Sequence, residues 1–127
     1  MATMRVPPFR ATVAELGNEL ALVSVSGELD LYVQSELRDA LAAADRLAIR
    51  TVVVDLSGVS FLDSTICGTL VGEAKRRRAE RGELVLVTNG PPTSRTLEVA
   101  GIDRVIRTFA TLHDALQALL LEPELVG

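Results

Sequence analysis

The sequence predicts an α/β domain with a largely parallel or mixed sheet on which helices pack. Two observations support this prediction. Apolar residues switch repeatedly between short strand-like runs and stretches with helical spacing, and the run TVVVDL at 51–56 is apolar without alternation. Strands that alternate with helices are typical of such sheets, and the predicted order is β-β-α-β-α-β-α-β-α.

The first part of the chain predicts a β-hairpin followed by a helix. Strands at 9–16 and 21–26 are joined through Gly17 and Asn18, a pair that tolerates positive φ in a turn. The motif GELD at 27–30 then interrupts the strand pattern. The apolar residues that follow recur at helical spacing and predict a helix with one buried face, formed by Val33, Leu37, Ala40, Leu41, Ala44 and Leu47.

The second part of the chain predicts three further strands, each followed by a helix. The run at 51–56 is the predicted central strand, because a β-branched run without alternation suits a strand covered on both sides. NGPP marks a loop whose proline fits the first turn of a short helix. The predicted elements are a strand at 51–56, a helix from Ser64 to near Gly82, a strand at 83–88, a short helix ended by Gly101, a short strand within 102–109 and a last helix capped by Thr111.

Length and composition predict one domain over residues 1–127, because a chain of 127 residues with 48% apolar content can bury a single core. The net charge of −4 gives no electrostatic reason to expect nucleic-acid binding. The single cysteine excludes an intramolecular disulfide and a cysteine-based metal site. No apolar run approaches the roughly 20 residues of a membrane span, and the N-terminus lacks a signal-peptide pattern, so we expect a cytoplasmic protein without membrane insertion.

Motifs of common catalytic and cofactor-binding sites are absent from the sequence, which contains no G-x-x-x-x-G-K-[ST], G-x-G-x-x-G or G-x-S-x-G. The one histidine, His113, is predicted near the start of the last helix. Asp55 follows a strand as in a receiver domain, but the sole lysine, Lys75, lies in the middle of the chain. Asp30, Asp55 and Asp63 come from separate loops without histidine or cysteine at ligand spacing. We therefore expect no enzymatic activity, no cofactor and no metal.

The stretch FLDSTICGTL at 61–70 places an acid and two hydroxyls where the central strand has ended and a helix begins. Oxygens of Asp63, Ser64 and Thr65 suit the capping of unpaired N–H groups in a first helical turn. Functional groups of open α/β sheets also gather at the carboxyl ends of strands, beside the positive end of the following helix. The residues alone are compatible with both roles.

The segment VVVDLSGVSFLDSTICGTLVGEAKRRR at 52–78 resembles the core of the STAS domain, the family of anti-sigma factor antagonists. GELD and the segment ELVLVTNGPPTSRTLEVAGIDRVI at 83–106 resemble the flanking parts of that family in order and spacing. The pattern D-L-S-x-V-x-F-x-D-S-[ST] is the most specific part. The resemblance implies a small mixed β-sheet with helices packed on one side, a core over 9–120 and short flexible ends.

The resemblance also implies a partner-switching function. The unphosphorylated antagonist would bind an anti-sigma factor and free the sigma factor, the anti-sigma factor would act as a serine kinase, and a serine phosphatase would restore the antagonist. By position, the resemblance implies Ser64 as the phosphoacceptor, with Thr65 as the less favoured neighbour. Its implied partner-binding residues are Asp30, Asp63, Ser64, Thr65 and Ile66. A STAS scaffold or transporter-associated regulatory module without this cycle is the alternative function.

Three further features of the predicted second helix concern access to its start, the core and the charge at its end. Ile66 and Cys67 depart from the small residue and leucine common in the family, so we expect the bulk of Ile66 to narrow the approach to the helix start. Cys67 is predicted to fill the core. The basic run KRRR at 75–78 is predicted to be an exposed helix end that complements the helix dipole, so that Arg76 and Arg77 contribute little to stability.

Overall fold

A five-stranded mixed sheet forms the centre of the molecule, for which a computed structural model describes residues 8–17, 19–47 and 50–121. Within these residues the strands lie in chain order, β1-β2-β3-β4-β5, with β1 antiparallel to β2 and the other neighbours parallel. This confirms the predicted α/β class. The strands are β1 (Arg10–Leu16), β2 (Leu20–Leu29), β3 (Thr51–Leu62), β4 (Glu83–Val87) and β5 (Thr108–Phe109).

Four α-helices follow the strands in the predicted order within the described residues. Short 3-10 helices at Leu31–Val33 and Ile102–Arg104 precede α1 and β5. The chain ends that were predicted to be flexible fall mostly on 1–7 and 122–127, outside the described residues, as does Asn18 of the predicted turn. Gly17 has the expected positive φ of 72°. The helices are α1 (Gln34–Arg46), α2 (Ser64–Ala79), α3 (Pro91–Val99) and α4 (Leu112–Leu121).

The helices cover both faces of the sheet, which corrects the expectation of helices on one side only. Apolar residues of α1, α2 and α3 share one core with Val52 and Val54 of β3. The intervening Val53 points to the other face, because side chains alternate along a strand, and it packs with Ala115 of α4. Both faces of β3 are therefore buried over Val52, Val53 and Val54, as predicted for a run without alternation.

The strand β2 continues through GELD to Leu29, so the predicted interruption at 27–30 is wrong. Gly27 adopts a φ of +99°, and its pairing with β3 shifts register at this point, which is how the strand accommodates the irregularity. A Cβ at Gly27 would lie 2.9 Å from the backbone oxygen of Pro8. The extension matters because β2 and β3 now end side by side, with Leu29 paired to Leu62.

The last strand is much shorter than the predicted region. Gly101, with a φ of +75°, follows α3 as predicted, but the chain then forms the 3-10 helix Ile102–Arg104 before the two residues of β5. The 3-10 helix and the two-residue strand contain too few residues for a hydrophobic period to be recognised in the sequence.

Among the residues that the structure describes, none of the helices has both the length and the apolar content needed to span a bilayer.

Candidate functional site

Asp63 is the N-cap of α2 and lies directly after the end of β3. Its backbone is extended, and its Oδ1 accepts a hydrogen bond from the Ile66 N–H at 3.0 Å. Ser64 occupies the first position of the helix and is exposed. The capping role that the sequence offered to all three residues of 63–65 therefore belongs to Asp63, and the Ser64 hydroxyl is not the cap.

The same carboxylate also joins α2 to the end of β2. Asp63 Oδ2 accepts a hydrogen bond from the Leu31 N–H at 3.0 Å, and the Asp63 N–H donates to the Leu29 carbonyl at 3.1 Å. The two lone-pair-bearing oxygens of one side chain thus fix two segments relative to each other. The Leu31 segment is held beside the start of α2 by this link.

Asp30 organises that neighbouring segment. Its Oδ1 accepts a hydrogen bond from the Tyr32 N–H at 3.0 Å and caps the 3-10 helix Leu31–Val33. This turn presents two large side chains to solvent, with Leu31 59% exposed and Tyr32 87% exposed. Phe61 near the end of β3 is 48% exposed. Tyr32 is the one tyrosine of the chain and the most exposed of its large apolar side chains among the described residues.

Sequence reasoning missed Leu31, Tyr32 and Phe61 as candidate functional residues. The available signal was an aromatic and a leucine placed directly after GELD, outside the spacing of the predicted helix face. Asp30, Asp63 and Ser64 are brought to the same end of the sheet, as their positions after β2 and β3 predict. We call the exposed region formed by Asp30, Leu31, Tyr32, Asp63 and Ser64 the α2 entry surface.

Thr65 borders a groove between α1 and α2. The groove has a volume of about 380 Å³ and is bordered also by Gly68 and Gly72 of α2. The Thr65 carbonyl accepts a hydrogen bond from Thr69 Oγ1 at 3.1 Å, and Thr69 Oγ1 in turn accepts one from Gln34 Nε2 at 2.9 Å. Thr65 is half-buried, so its hydroxyl is less accessible than that of Ser64.

Ile66 is fully buried in the main core, with an exposed fraction of 0%. Its side chain neither narrows the approach to the helix start nor offers surface to a partner, which corrects both expectations for this residue. The sequence could not show this, because a residue in the first turn of a helix can face either the core or the solvent.

Cys67 is also buried in this core, as predicted. Its burial, and to a smaller extent the nearby charge of Asp63, raises the pKa of its thiol.

The arrangement presents a hydroxyl for modification or binding and contains no recognised base beside it. His113 is exposed at the start of α4, which packs on the face of the sheet opposite to α2. Among the described residues, no group of three histidine, cysteine, aspartate or glutamate side chains is placed to hold a metal ion.

Comparison with known proteins establishes the family. The sequence model of the STAS domain matches residues 11–115, which is most of the chain. The chain belongs to the STAS-domain family. It is similar to the anti-sigma-F factor antagonist RsfB of Mycobacterium tuberculosis, with 33% identity over 105 residues that cover 83% of this chain and 84% of that protein. It is also similar to the anti-sigma-B factor antagonist of Staphylococcus aureus, with 34% identity over 80 residues that cover 63% of this chain and 74% of that protein.

Solved structures show the same fold. A crystal structure of an anti-sigma factor antagonist from Mycobacterium paratuberculosis superposes with a TM-score of 0.83 at 29% identity, covering 92% of this chain and 99% of that one. The unphosphorylated form of the anti-sigma factor antagonist SpoIIAA superposes with a TM-score of 0.74 at 20% identity, covering 90% of this chain and 99% of that one. The mixed sheet with its four helices is thus a STAS fold.

At the other end of α2, the STAS domain buries an arginine that was predicted to be exposed. Arg77 is only 3% exposed, and its guanidinium donates to Asp45 Oδ1 at 2.5 Å and to the Leu41 carbonyl at 3.3 Å. Arg76 pairs with Asp45 and Glu73, each at 2.7 Å. The prediction that Arg77 is exposed is therefore wrong, so the expectation of a small contribution to stability loses its basis for this residue.

The surroundings shift the pKa values of Arg76 and Arg77, near the C-terminal end of α2, in opposite directions. Burial lowers the pKa of Arg77, whereas the hydrogen bond to Glu73 raises the pKa of Arg76. Lys75 is exposed, and Arg78 is exposed and donates to the Val105 carbonyl at 2.9 Å. The basic run is thus divided between solvent-facing residues and an ion network that links α2 to α1.

Proposed function

We propose that this STAS domain is an anti-sigma factor antagonist, that it acts in the cytoplasm, and that phosphorylation of Ser64 controls its binding to the anti-sigma factor. The observation that carries the proposal is the division of roles at the start of α2. Asp63 makes the bonds that begin the helix, and the adjacent Ser64 hydroxyl is exposed. A modification of Ser64 can therefore change the surface without removing a bond on which the fold depends.

The anti-sigma factor kinase would transfer the γ-phosphoryl group of its ATP to Ser64 Oγ. The bond from the γ-phosphorus to the bridging oxygen breaks, and ADP and the hydroxyl proton are released. The phosphate adds about −1.5 to −2 charges at neutral pH. It would stand beside the Asp63 carboxylate, at a helix end whose N–H groups favour anions. The domain would keep its fold while the local surface becomes strongly negative. A serine phosphatase would reverse the change.

The α2 entry surface has the composition of a binding site for another protein. Tyr32 and Leu31 present large apolar area, and tyrosine is enriched among the residues that dominate binding energy. Asp63 holds this pair beside Ser64 through its bond to the Leu31 N–H. A phosphate at Ser64 would therefore meet a partner seated on Tyr32, where repulsion and the loss of hydration of two adjacent anions oppose binding.

The test is calorimetric titration of wild type, Ser64→Ala and Ser64→Asp against the cognate anti-sigma factor, with mass measurement after incubation with that factor and ATP. We expect one added phosphate on wild type and none on Ser64→Ala. Ser64→Ala should bind like wild type, and Ser64→Asp should bind at least about tenfold more weakly. Tyr32→Ala should also weaken binding by about tenfold, as truncation of a central aromatic commonly does.

Two control variants make the titration specific. Ser57→Asp adds the same charge at an exposed serine in β3, and Val99→Ala truncates a side chain that is exposed on α3. Neither should change the affinity. Equal binding by Ser64→Asp and wild type would contradict control by charge, phosphate found on Thr65 would show that the neighbouring hydroxyl is the acceptor, and no phosphate at all would favour a STAS module without the cycle.

A further inference from the structure

A cavity of about 680 Å³ lies at the end of α2 opposite to Ser64. The chain enters β3 and β4 beside it, with the Glu83 N–H donating to the Arg50 carbonyl at 3.0 Å. The 16 residues of α2 place the two ends of the helix about 22 Å apart at 1.5 Å per residue. The volume is within the range of about 300–1,000 Å³ typical of small-molecule sites.

Arginine dominates the lining of this cavity. Four of the 13 lysine and arginine residues of the chain line it, although the chain as a whole has a net charge of −4. Three carboxylates line it as well. The cavity therefore has an excess of positive charge on a protein that is otherwise acidic. The charged lining residues are Arg50, Arg76, Arg77, Arg81, Glu19, Asp45 and Glu80.

Two of the arginines are engaged in holding the fold together. Arg77 and Arg76 share Asp45, and Arg76 also pairs with Glu80 at 3.3 Å. These pairs neutralise the two carboxylates and form one wall of the cavity. The Nε of Arg77 is buried without a hydrogen-bond partner among the described residues, so the network leaves some donor capacity unused.

Arg50 and Arg81 are the cations that the network leaves available. Both are exposed, and within the described part of the chain no carboxylate pairs with either of them. The Arg50 Nε donates to the Arg81 carbonyl at 3.1 Å, which ties the two residues together. Both residues line the cavity, and a guanidinium group offers the planar paired donors that phosphate oxygens accept.

Arg81 also has a backbone conformation that its residue type disfavours. It is the one non-glycine residue with positive φ, 66°, in the described ranges. The Gly82 N–H donates to the Arg77 carbonyl and the Arg81 N–H to the Arg78 carbonyl, a helix ending whose left-handed residue is usually glycine. The chain instead has an arginine there, and this residue lines the cavity. Disfavoured backbone conformations of this kind recur at functional sites.

We propose that this cavity is a second binding site, which takes a small phosphate-bearing anion through Arg50 and Arg81. Arg76 and Arg77 form the ion-paired wall beside them, and the lining residue Glu19 opposes the anion and limits its affinity. The site is separate from Ser64 and does not depend on the proposed partner switch. The volume of about 680 Å³ suits a small ligand, whereas an acidic protein surface would contact a wider area.

The test is calorimetric titration of the full chain with pyrophosphate at low ionic strength. Wild type should bind pyrophosphate, and the affinity should fall as salt is added. Arg81→Gly should weaken binding by about tenfold, since one charge-assisted bidentate contact is lost. Because glycine accepts positive φ, this variant should unfold at the same urea concentration as wild type or higher, so weaker binding cannot be attributed to unfolding.

Further variants separate this site from the rest of the surface. Arg50→Ala should weaken pyrophosphate binding as Arg81→Gly does, and Glu19→Gln should strengthen it. Arg95→Ala, at an exposed arginine of α3, and Ser64→Ala should leave it unchanged. The proposal is overturned if wild type shows no binding at millimolar pyrophosphate, if Arg81→Gly and Arg50→Ala bind like wild type, or if citrate binds as tightly as pyrophosphate.

Discussion

The two ends of α2 carry the most conspicuous polar residues of the sequence, and the structure places them in opposite environments. At the first turn, Ser64 is exposed, and the adjacent Asp63 makes the bonds that the helix start needs. In the last turns, Arg77 is buried and bonded to Asp45 and to the Leu41 carbonyl. One end therefore has an exposed serine beside the residue that makes the structural bonds, and at the other end a charged residue makes those bonds itself.

The difference shows that a favourable helix end does not decide whether a polar side chain is buried. Basic residues at 75–78 all benefit from the negative end of the helix dipole. Arg76 and Arg77 both pair with Asp45 in the last turns of α1, and the more deeply buried Arg77 also donates to the Leu41 carbonyl of that helix. A buried charge requires such a partner, because the loss of hydration otherwise exceeds what the dipole supplies. Burial is thus decided by the neighbouring helix.

The largest loss of stability is expected from Arg77→Ala, which removes the buried charge at the C-terminal end of α2. The substitution removes a guanidinium that joins α2 to α1 and leaves Asp45 with Arg76 alone. Loss of one partner of a fully buried pair costs about 3–5 kcal/mol, and because Asp45 is 35% exposed we expect about 2–3 kcal/mol here. Urea unfolding monitored by circular dichroism measures this loss.

Two variants make the Arg77 measurement specific. Arg78→Ala removes a neighbouring exposed arginine and should cost less than about 1 kcal/mol. Arg77→Met keeps much of the buried volume without the charge, so it should be less destabilising than Arg77→Ala. Equal stability of Arg77→Ala and Arg78→Ala would mean that the buried ion pair contributes nothing measurable.

A smaller effect is expected at the other end of α2, from Asp63→Ala compared with Ser64→Ala. Asp63→Ala removes the cap and the bond to the Leu31 N–H, and we expect a loss of about 1–2 kcal/mol in the free energy of unfolding. Ser64→Ala changes an exposed side chain that is not the cap, so its loss should be below about 0.5 kcal/mol. Urea titrations of the two variants in parallel provide the comparison. A larger loss for Ser64→Ala would show that the two roles are not divided in this way.

Much of the fold could be predicted from local pattern, because strand and helix periods are properties of neighbouring residues. The runs at 51–56 and 83–88 coincide closely with the starts of β3 and β4, and α2 begins at Ser64 as predicted. The position of Ser64 at the end of a strand also followed from this pattern. Elements with a regular period and clear ends are the ones that sequence determines most directly.

The remaining features depend on contacts between distant segments. Asp45 and Arg77 are 32 positions apart, and Asp63 bonds to Leu31 over the same separation, so neither pair leaves a signal in a local window. The placement of α4 is a further example, because its apolar face could pack on either side of the sheet. The contact between Val53 and Ala115, which are distant in sequence, determines the side. These contacts decided the burial of Arg77, the capping role of Asp63 and the face that α4 covers.

The smallest expected effect concerns Cys67, a third polar group of α2, which is buried without an opposite charge beside it. Burial and the Asp63 charge raise the pKa of its thiol above the value of about 8.5 in an unfolded chain. As pH rises past about 8.5, the unfolded chain loses this proton first, so the folded state binds more protons and stability falls until the folded pKa is reached.

Cys67→Ala removes this dependence. Urea unfolding under reducing conditions at pH 7.5 and 9.5 should therefore show a fall in stability that is up to about 1 kcal/mol larger for wild type than for Cys67→Ala. An equal fall in both proteins would mean that the thiol ionises in the folded domain as easily as in water, against its placement in the core.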